Sequence, residues 1–196
     1  MKITLIALLF TITLTSAHAQ LTKKNWLVGG AGSFYSYNED YYAPSVDVTA
    51  NYTSIDLSAS IGYFFVDKFS AGLRPYFSSF KGESSGGGST NSYRLAIGPF
   101  ARYYFLQSDK QFNLLSDISY QFGINNWLDG YPAKGKFNTF SVMAGTEVFF
   151  NTTVGIEILL GYKNQIASID NSPSAYHSNK KGFQVSIGFQ FHLEKD

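Results

Sequence analysis

Eight ionisable side chains, Asp56, Arg74, Arg94, Arg102, Asp117, Glu147, Glu157 and Lys163, fall on the polar parity of stretches in which every second residue is apolar. Four are acidic and four basic. Carboxylates and cations gathered on one face can pair with one another, relay protons or ions, or hold a ligand. Buried charges need partners under any of these readings, because removing one member of a buried pair costs about 3 to 5 kcal/mol. The pairing itself therefore comes first, as an interior ion-pair and hydrogen-bond plug. Hydrolysis or acyl transfer by a serine, a histidine and a carboxylate would need a nucleophile within reach of a base. Beyond residue 19 the chain offers only His177, beside Ser178, and His192. Neither forms a catalytic motif, and their spacing does not suggest a metal site. No catalytic, cofactor or metal residue is assigned.

The elements that would carry these charges repeat eight times. Each is a stretch of roughly 12 to 15 residues with dyad alternation, followed by a turn segment, which is the pattern of β-strands with two different faces. The strands fall near residues 26–37, 52–65, 69–80, 92–105, 111–124, 137–150, 153–164 and 182–193. In the fourth, Tyr93, Leu95, Ile97, Pro99, Ala101, Tyr103 and Phe105 share a face opposite Arg94, Arg102 and Tyr104. Counting up from the turns puts Arg74, Arg102, Asp117, Glu147 and Glu157 in one lower layer, with Asp56, Arg94 and Lys163 above it.

Connections alternate in length. Those at 66–68, 107–110 and 151–152 are tight, whereas those at 38–51, 81–91, 125–136 and 165–181 run to roughly 10 to 17 residues. The Gly- and Ser-rich stretch 81–91 reads as a flexible, solvated tip. Pro75 and Pro99 lie inside strands, where each lacks a donor for the ladder, so a shared bulge is expected there.

Alternation alone does not say which face meets what. A solvated exterior should be rich in Lys, Glu, Asp and Arg, yet the polar face is largely Gly, Ser, Thr, Asn and Gln, which suit a crowded interior. Aromatic content of 17% beside charge of only 15% departs from soluble domains, where about a quarter of residues are charged. Aromatics gather at both ends of the apolar band, with Trp26, Tyr63, Phe65, Tyr103 and Phe105 low and Tyr37, Tyr52, Phe77 and Tyr93 high, as at two membrane interfaces. No apolar run is long enough for a spanning helix, so a closed barrel is the remaining way across a bilayer. The expected fold is all-β: an eight-stranded antiparallel up-and-down transmembrane β-barrel with short periplasmic turns and longer external loops.

Residues 1–19 carry Lys2, an apolar run and Ala17-His18-Ala19, the pattern of a cleaved secretory signal, which leaves one barrel domain over 20–196. Without Lys2, basic and acidic residues balance at 14 each, and no basic patch argues for nucleic acid. There is no cysteine, hence no disulfide framework.

The phrases 62–73, GYFFVDKFSAGL, and 97–105, IGPFARYYF, resemble the strand and turn punctuation of the small outer-membrane barrels of the OmpA and OmpX type. The resemblance runs along the whole chain after residue 19. It implies a monomer in the outer membrane with both termini periplasmic, delivered by periplasmic chaperones and the barrel-assembly machinery, and surrounded by outer-membrane lipid and lipopolysaccharide. Members of that family include surface-interaction proteins, envelope stabilisers and some lipid-modifying enzymes. The chain departs from the family in following Phe189 and Phe191 with His192-Leu193-Glu194-Lys195-Asp196 rather than ending on an aromatic. With the interior plugged, activity is expected in the external loops, where Tyr41, Tyr42, Trp127 and Tyr131 are the recognition candidates. A lipid-modifying enzyme and a small solute or ion channel stand as alternatives.

Overall fold

The computed structural model describes residues 21–43, 46–127, 133–169 and 176–194. The expected leader and Tyr131 lie outside the described residues. Ten strands follow one another: β1 (Trp26–Ala43), β2 (Val46–Val66), β3 (Phe69–Leu73), β4 (Tyr76–Ser84), β5 (Ser89–Ile97), β6 (Pro99–Tyr104), β7 (Phe112–Trp127), β8 (Ala133–Phe149), β9 (Val154–Ile169) and β10 (Tyr176–Leu193). All described pairings are antiparallel, and β1 pairs with both β2 and β10, so the sheet closes on itself. β3 with β4, and β5 with β6, are each one stave of the wall interrupted at a proline. The ring therefore has eight staves.

The expected bulge at the two prolines is absent. Ile61 pairs with Leu73 and Ser58 with Tyr76 in one unbroken register, and Leu73 with Pro99 continues the register of Tyr76 with Ala96. The prolines remove donors without adding a residue. The ladder is bridged around them, as the Ala59 amide donates to the Pro75 carbonyl at 3.0 Å and the Arg74 amide to the Gly98 carbonyl at 2.8 Å. The one irregularity in this part of the wall lies lower, between Phe64 and Val66, beside the turn in which Lys68 takes a φ of 65°.

Strands also run further from the short-turn end than the alternation suggests. β1 and β2 stay paired up to Ala43 with Val46, and β4 with β5 up to Glu83 with Ser89, so most of 38–51 and 81–91 is ladder rather than loop. Propensity did not signal this, because Gly, Ser and Asn suit turns, whereas here ladder hydrogen bonds to a neighbouring stave hold them extended.

At the short-turn end, called the base below, side chains in and beside the turns satisfy the backbone. Asn151 Oδ1 accepts from the amides of Thr153 and Val154 at 2.8 and 2.7 Å, and Asn113 Oδ1 accepts from the Leu106 amide at 2.9 Å. Residues 21–25 fold under the base. The Lys68 amide donates to the Leu21 carbonyl at 2.7 Å and the Lys24 amide to the Phe64 carbonyl at 2.9 Å, which leaves the Leu21 side chain buried against the lumen's lowest layer. With it pack Leu27, Phe64, Phe100, Tyr104, Leu115, Met143, Phe149 and Leu159.

Outside, the pattern inverts. Ile55, Leu57, Ile61, Leu95, Ile97, Ile118, Val142, Ile158 and Leu160 are all exposed, so the wall presents a belt of large apolar side chains. Such an area far exceeds what a soluble monomer leaves bare. Edge-to-face aromatic pairs mark the lower rim, Trp26 with Tyr63 at 5.3 Å and Tyr103 with Phe105 at 5.2 Å, and Tyr37 stacks on Tyr52 at 4.9 Å higher up.

Candidate functional site

The interior charges meet as two groups at different heights. In the lower one, Arg102 is the hub. Its Nε donates to Asp117 Oδ2 at 3.0 Å, and its Nη1 lies 2.7 Å from Glu157 Oε2. Arg102 and Asp117 are direct cross-strand partners on β6 and β7. Arg74, at the break between β3 and β4, reaches over and grips the same Asp117 with both terminal nitrogens, at 2.7 and 2.8 Å. Such a bidentate fork fixes geometry as well as charge. Arg74 Nε also donates to Ser60 Oγ at 2.9 Å, and its guanidinium lies over the Phe100 ring, 4.6 Å from the centroid.

Glu147 and Glu157 stand directly opposite one another on β8 and β9. Like charges in that position repel. The structure separates their loyalties: Glu157 turns to Arg102, while Glu147 accepts from the Tyr104 hydroxyl at 2.7 Å and lies 2.7 Å from His192 Nε2. The His192 ring is boxed by Phe64, Tyr104 and Phe149, with centroids 6.0, 6.0 and 5.4 Å away. Glycine makes this crowding possible. A Cβ on Gly62 would sit 2.8 Å from the Phe100 ring, and one on Gly155 would collide with the Glu147 side chain. Arg102, Tyr104, Glu147 and His192 are all buried, so side chains fill the lower half of the lumen.

The upper group is looser. Asp56 accepts from the Tyr76 hydroxyl at 2.6 Å and from the hydroxyls of Ser54 and Ser33 at 3.4 and 3.5 Å. Lys163 Nζ lies 5.6 Å from the centre of the Tyr76 ring. Arg94 is in register with Ser78 and acts on Lys163 electrostatically without an ion pair. A cavity of about 460 Å³ opens at this level beside Asp56, Tyr76, Lys163 and Gln184. Lower down it gives way to a void of about 60 Å³ next to Arg74, Glu157 and Gln190.

All five residues expected in the lower layer are brought together, and Asp56 and Lys163 are set above them around Tyr76. Two members were not expected. Tyr104 and His192 have the inward parity that alternation gives them, but their partner Glu147 is on a stave that is not their neighbour, and cross-lumen contacts leave no trace in local spacing. His177 is exposed on β10, paired with Ser168 rather than in a loop. Alternation turns it away from Ser178, which lies on the opposite face of the strand. Of the recognition candidates, Tyr41 and Tyr42 lie at the upper end of β1 and Trp127 ends β7. Among the described residues, no cluster of His, Cys, Asp and Glu has the form of a metal site.

No protein-family model matches the sequence, and no curated protein matches it. Among solved structures, the outer membrane protein OprG from Pseudomonas aeruginosa is similar at 13% identity and a TM-score of 0.48, over 90% of this chain and 100% of that one. Neisserial surface protein A is similar at 16% identity and a TM-score of 0.46, over 85% of this chain and 96% of its own. Both likenesses are of outline. The molecule's own features carry the assignment: staves that close into a ring, an apolar belt outside and charges within make this chain an eight-stranded up-and-down transmembrane β-barrel.

Proposed function

We propose that the protein resides in the outer membrane with both termini on the periplasmic side, closed to flow through its base, and acts in envelope structure and in surface binding at its upper hairpins. The observation that carries this reading is the plug. Eight staves enclose a lumen that side chains can fill, and here the layer of Arg102, Asp117, Glu147, Glu157, Tyr104 and His192 fills it with groups joined by ion pairs and hydrogen bonds, although Arg102 Nη2 and His192 Nδ1 are buried without a hydrogen-bond partner. The short turns at the base and the long hairpins at the other end support the orientation. In the cell, delivery would fall to periplasmic chaperones and the barrel-assembly machinery, with lipopolysaccharide as the outer-leaflet neighbour.

Planar-bilayer recording of the refolded chain tests the closure, with no stable conductance steps expected. Reproducible single-channel steps would instead make it a channel. In parallel, lipopolysaccharide from overproducing cells should keep its acyl pattern, and a change abolished by His177→Ala would make it a lipid-modifying enzyme. Replacing Tyr41, Tyr42, Trp127 and Tyr131 together should weaken any surface binding shown by intact cells, while leaving the barrel folded.

A further inference from the structure

The ring is not closed to its full height. β1 and β10 pair over only six residues each, from Trp26 with Leu193 to Ala31 with Gly188, although β1 continues to Ala43 and β10 begins at Tyr176. The same β1 pairs with β2 over its whole length. Above Ala31 the two strands part. Among the described residues, the most exposed large apolar side chains all flank this gap: Phe183 at 84%, Phe34 and Val185 at 67%, and Ile187 at 61%. The strands part within a run of small residues, Gly-Gly-Ala-Gly-Ser at 29–33, of which 29–31 are still paired with β10 and Gly32 and Ser33 lie just above the last pair, with little side chain to make cross-strand contacts there.

Behind the gap lies the cavity of about 460 Å³, within the range of small-molecule sites. Its lining is divided. Asp56, Tyr76, Lys163 and Gln184 face it from the lumen, while Val185 and Ile187 border it on the lipid side. Charge at this level is unequal, because a single carboxylate, Asp56, which itself acts on Lys163, stands against two cations, Lys163 and Arg94. The plug blocks any path downward. A molecule held here would keep a polar head in the lumen and would have to leave its apolar part among the seam's lips.

We propose that the seam between β1 and β10 is the mouth of a blind, side-opening pocket for a long-chain fatty acid, whose carboxylate pairs with Lys163 inside the lumen and whose chain leaves between Phe34 and the lips at Val185 and Ile187. A carboxylate head matches the surplus positive charge, and a single chain suits a slit bordered by one strand on each side.

The inference rests on the barrel lying in lipid, so folding is read first. The full chain after residue 19, refolded into lipid nanodiscs, should migrate differently in gels before and after boiling. Failure to fold in lipid overturns both the membrane reading and the pocket. The folded protein is then exposed to palmitate carrying a photoactivatable diazirine on its chain, and the labelled residues are mapped by mass spectrometry. Labelling should concentrate on peptides containing Phe34 and 183–187. Unlabelled palmitate should suppress it, and palmitate methyl ester should not. Lys163→Gln should lower seam labelling about tenfold or more, as expected for the loss of one charge-assisted hydrogen bond, and Lys163→Arg should restore it. A label spread evenly around the apolar belt, equal competition by the ester, or unchanged labelling in a folded Lys163→Gln protein would each overturn the pocket while leaving the barrel intact. If Lys163→Gln does not fold, the mapped sites and the ester competition on the native chain decide alone.

Discussion

The lower and upper halves of the lumen are walled by the same staves, yet one is solid and the other open. Below, each carboxylate is engaged: Asp117 by two guanidiniums, Glu157 by Arg102, and Glu147 by Tyr104 and His192. Above, Asp56 is held by hydroxyls at 2.6 to 3.5 Å, and Lys163 rests over a ring. The strands differ correspondingly at their seam, joined below Ala31 and parted above it. The contrast teaches that closure of a small barrel is not one property. Backbone pairing closes the wall, and packed, paired side chains close the bore, and here the two coincide only in the lower half, even though Arg102 Nη2 and His192 Nδ1 stay buried there without a hydrogen-bond partner.

The sharpest way to break the comparison is at its hub. Arg102→Met leaves Asp117 and Glu157 short of a buried partner and should cost about 3 to 5 kcal/mol, read from urea unfolding in lipid vesicles. Adding Glu157→Gln should recover part of the loss, because the two act as one unit. Strictly additive losses would show that they do not. On the outside, where the two halves share one apolar belt, Ile97→Arg should cost about 2 to 4 kcal/mol if that position faces mid-bilayer. Ser85→Arg, at the exposed tip of the β4 and β5 hairpin, should leave the unfolding midpoint where it was. Equal tolerance of the two would reverse the assignment of faces.

Smaller effects sharpen the contrast. Tyr104→Phe removes one of two partners of the buried Glu147 and should cost about 1 to 3 kcal/mol. The equivalent change above, Tyr76→Phe, strips a bond of similar length from Asp56 but should cost no more than about 1 kcal/mol, since the cavity of about 460 Å³ beside it has room for water to replace it. If the two tyrosines prove equal by the same unfolding measurement, the upper lumen is as dry as the lower. At the bottom of the scale, Lys81→Ala breaks the exposed pair with Glu83, 2.6 Å long, and should not move the midpoint at all, because solvent screens such pairs.

Much of this was legible in the chain itself. Dyad alternation gave the number of staves and the inward parity of Asp56, Arg74, Arg102, Asp117, Glu147, Glu157 and Lys163, and counting from the turns gave the membership of the lower layer. What escaped shares one physical cause. Alternation describes a strand and its own two faces, whereas the missing features depend on strands meeting. His192 and Glu147 approach across the bore, Pro75 and Pro99 sit in a wall whose register is held by neighbours on both sides, and the long hairpins stay paired through Gly- and Ser-rich sequence because a partner strand is there. The parted seam was the least readable of all. Its only local sign is the run of small residues at 29–33, which in isolation looks like any weak strand.

The six-pair join has a further consequence, for the order of events during folding. Trp26 and Leu193 are nearly the whole chain apart, while every other stave pairs with a neighbour in sequence. Local hairpins can zip early, because the entropy of closing a loop grows with its length, whereas joining β1 to β10 requires the entire sheet to have curled first. That step is rewarded by fewer ladder bonds than any complete stave-to-stave contact in the wall. Closure should therefore come last and reverse first, so that exchange of backbone amide hydrogens on 26–31 and 188–193 reports the earliest opening of the molecule.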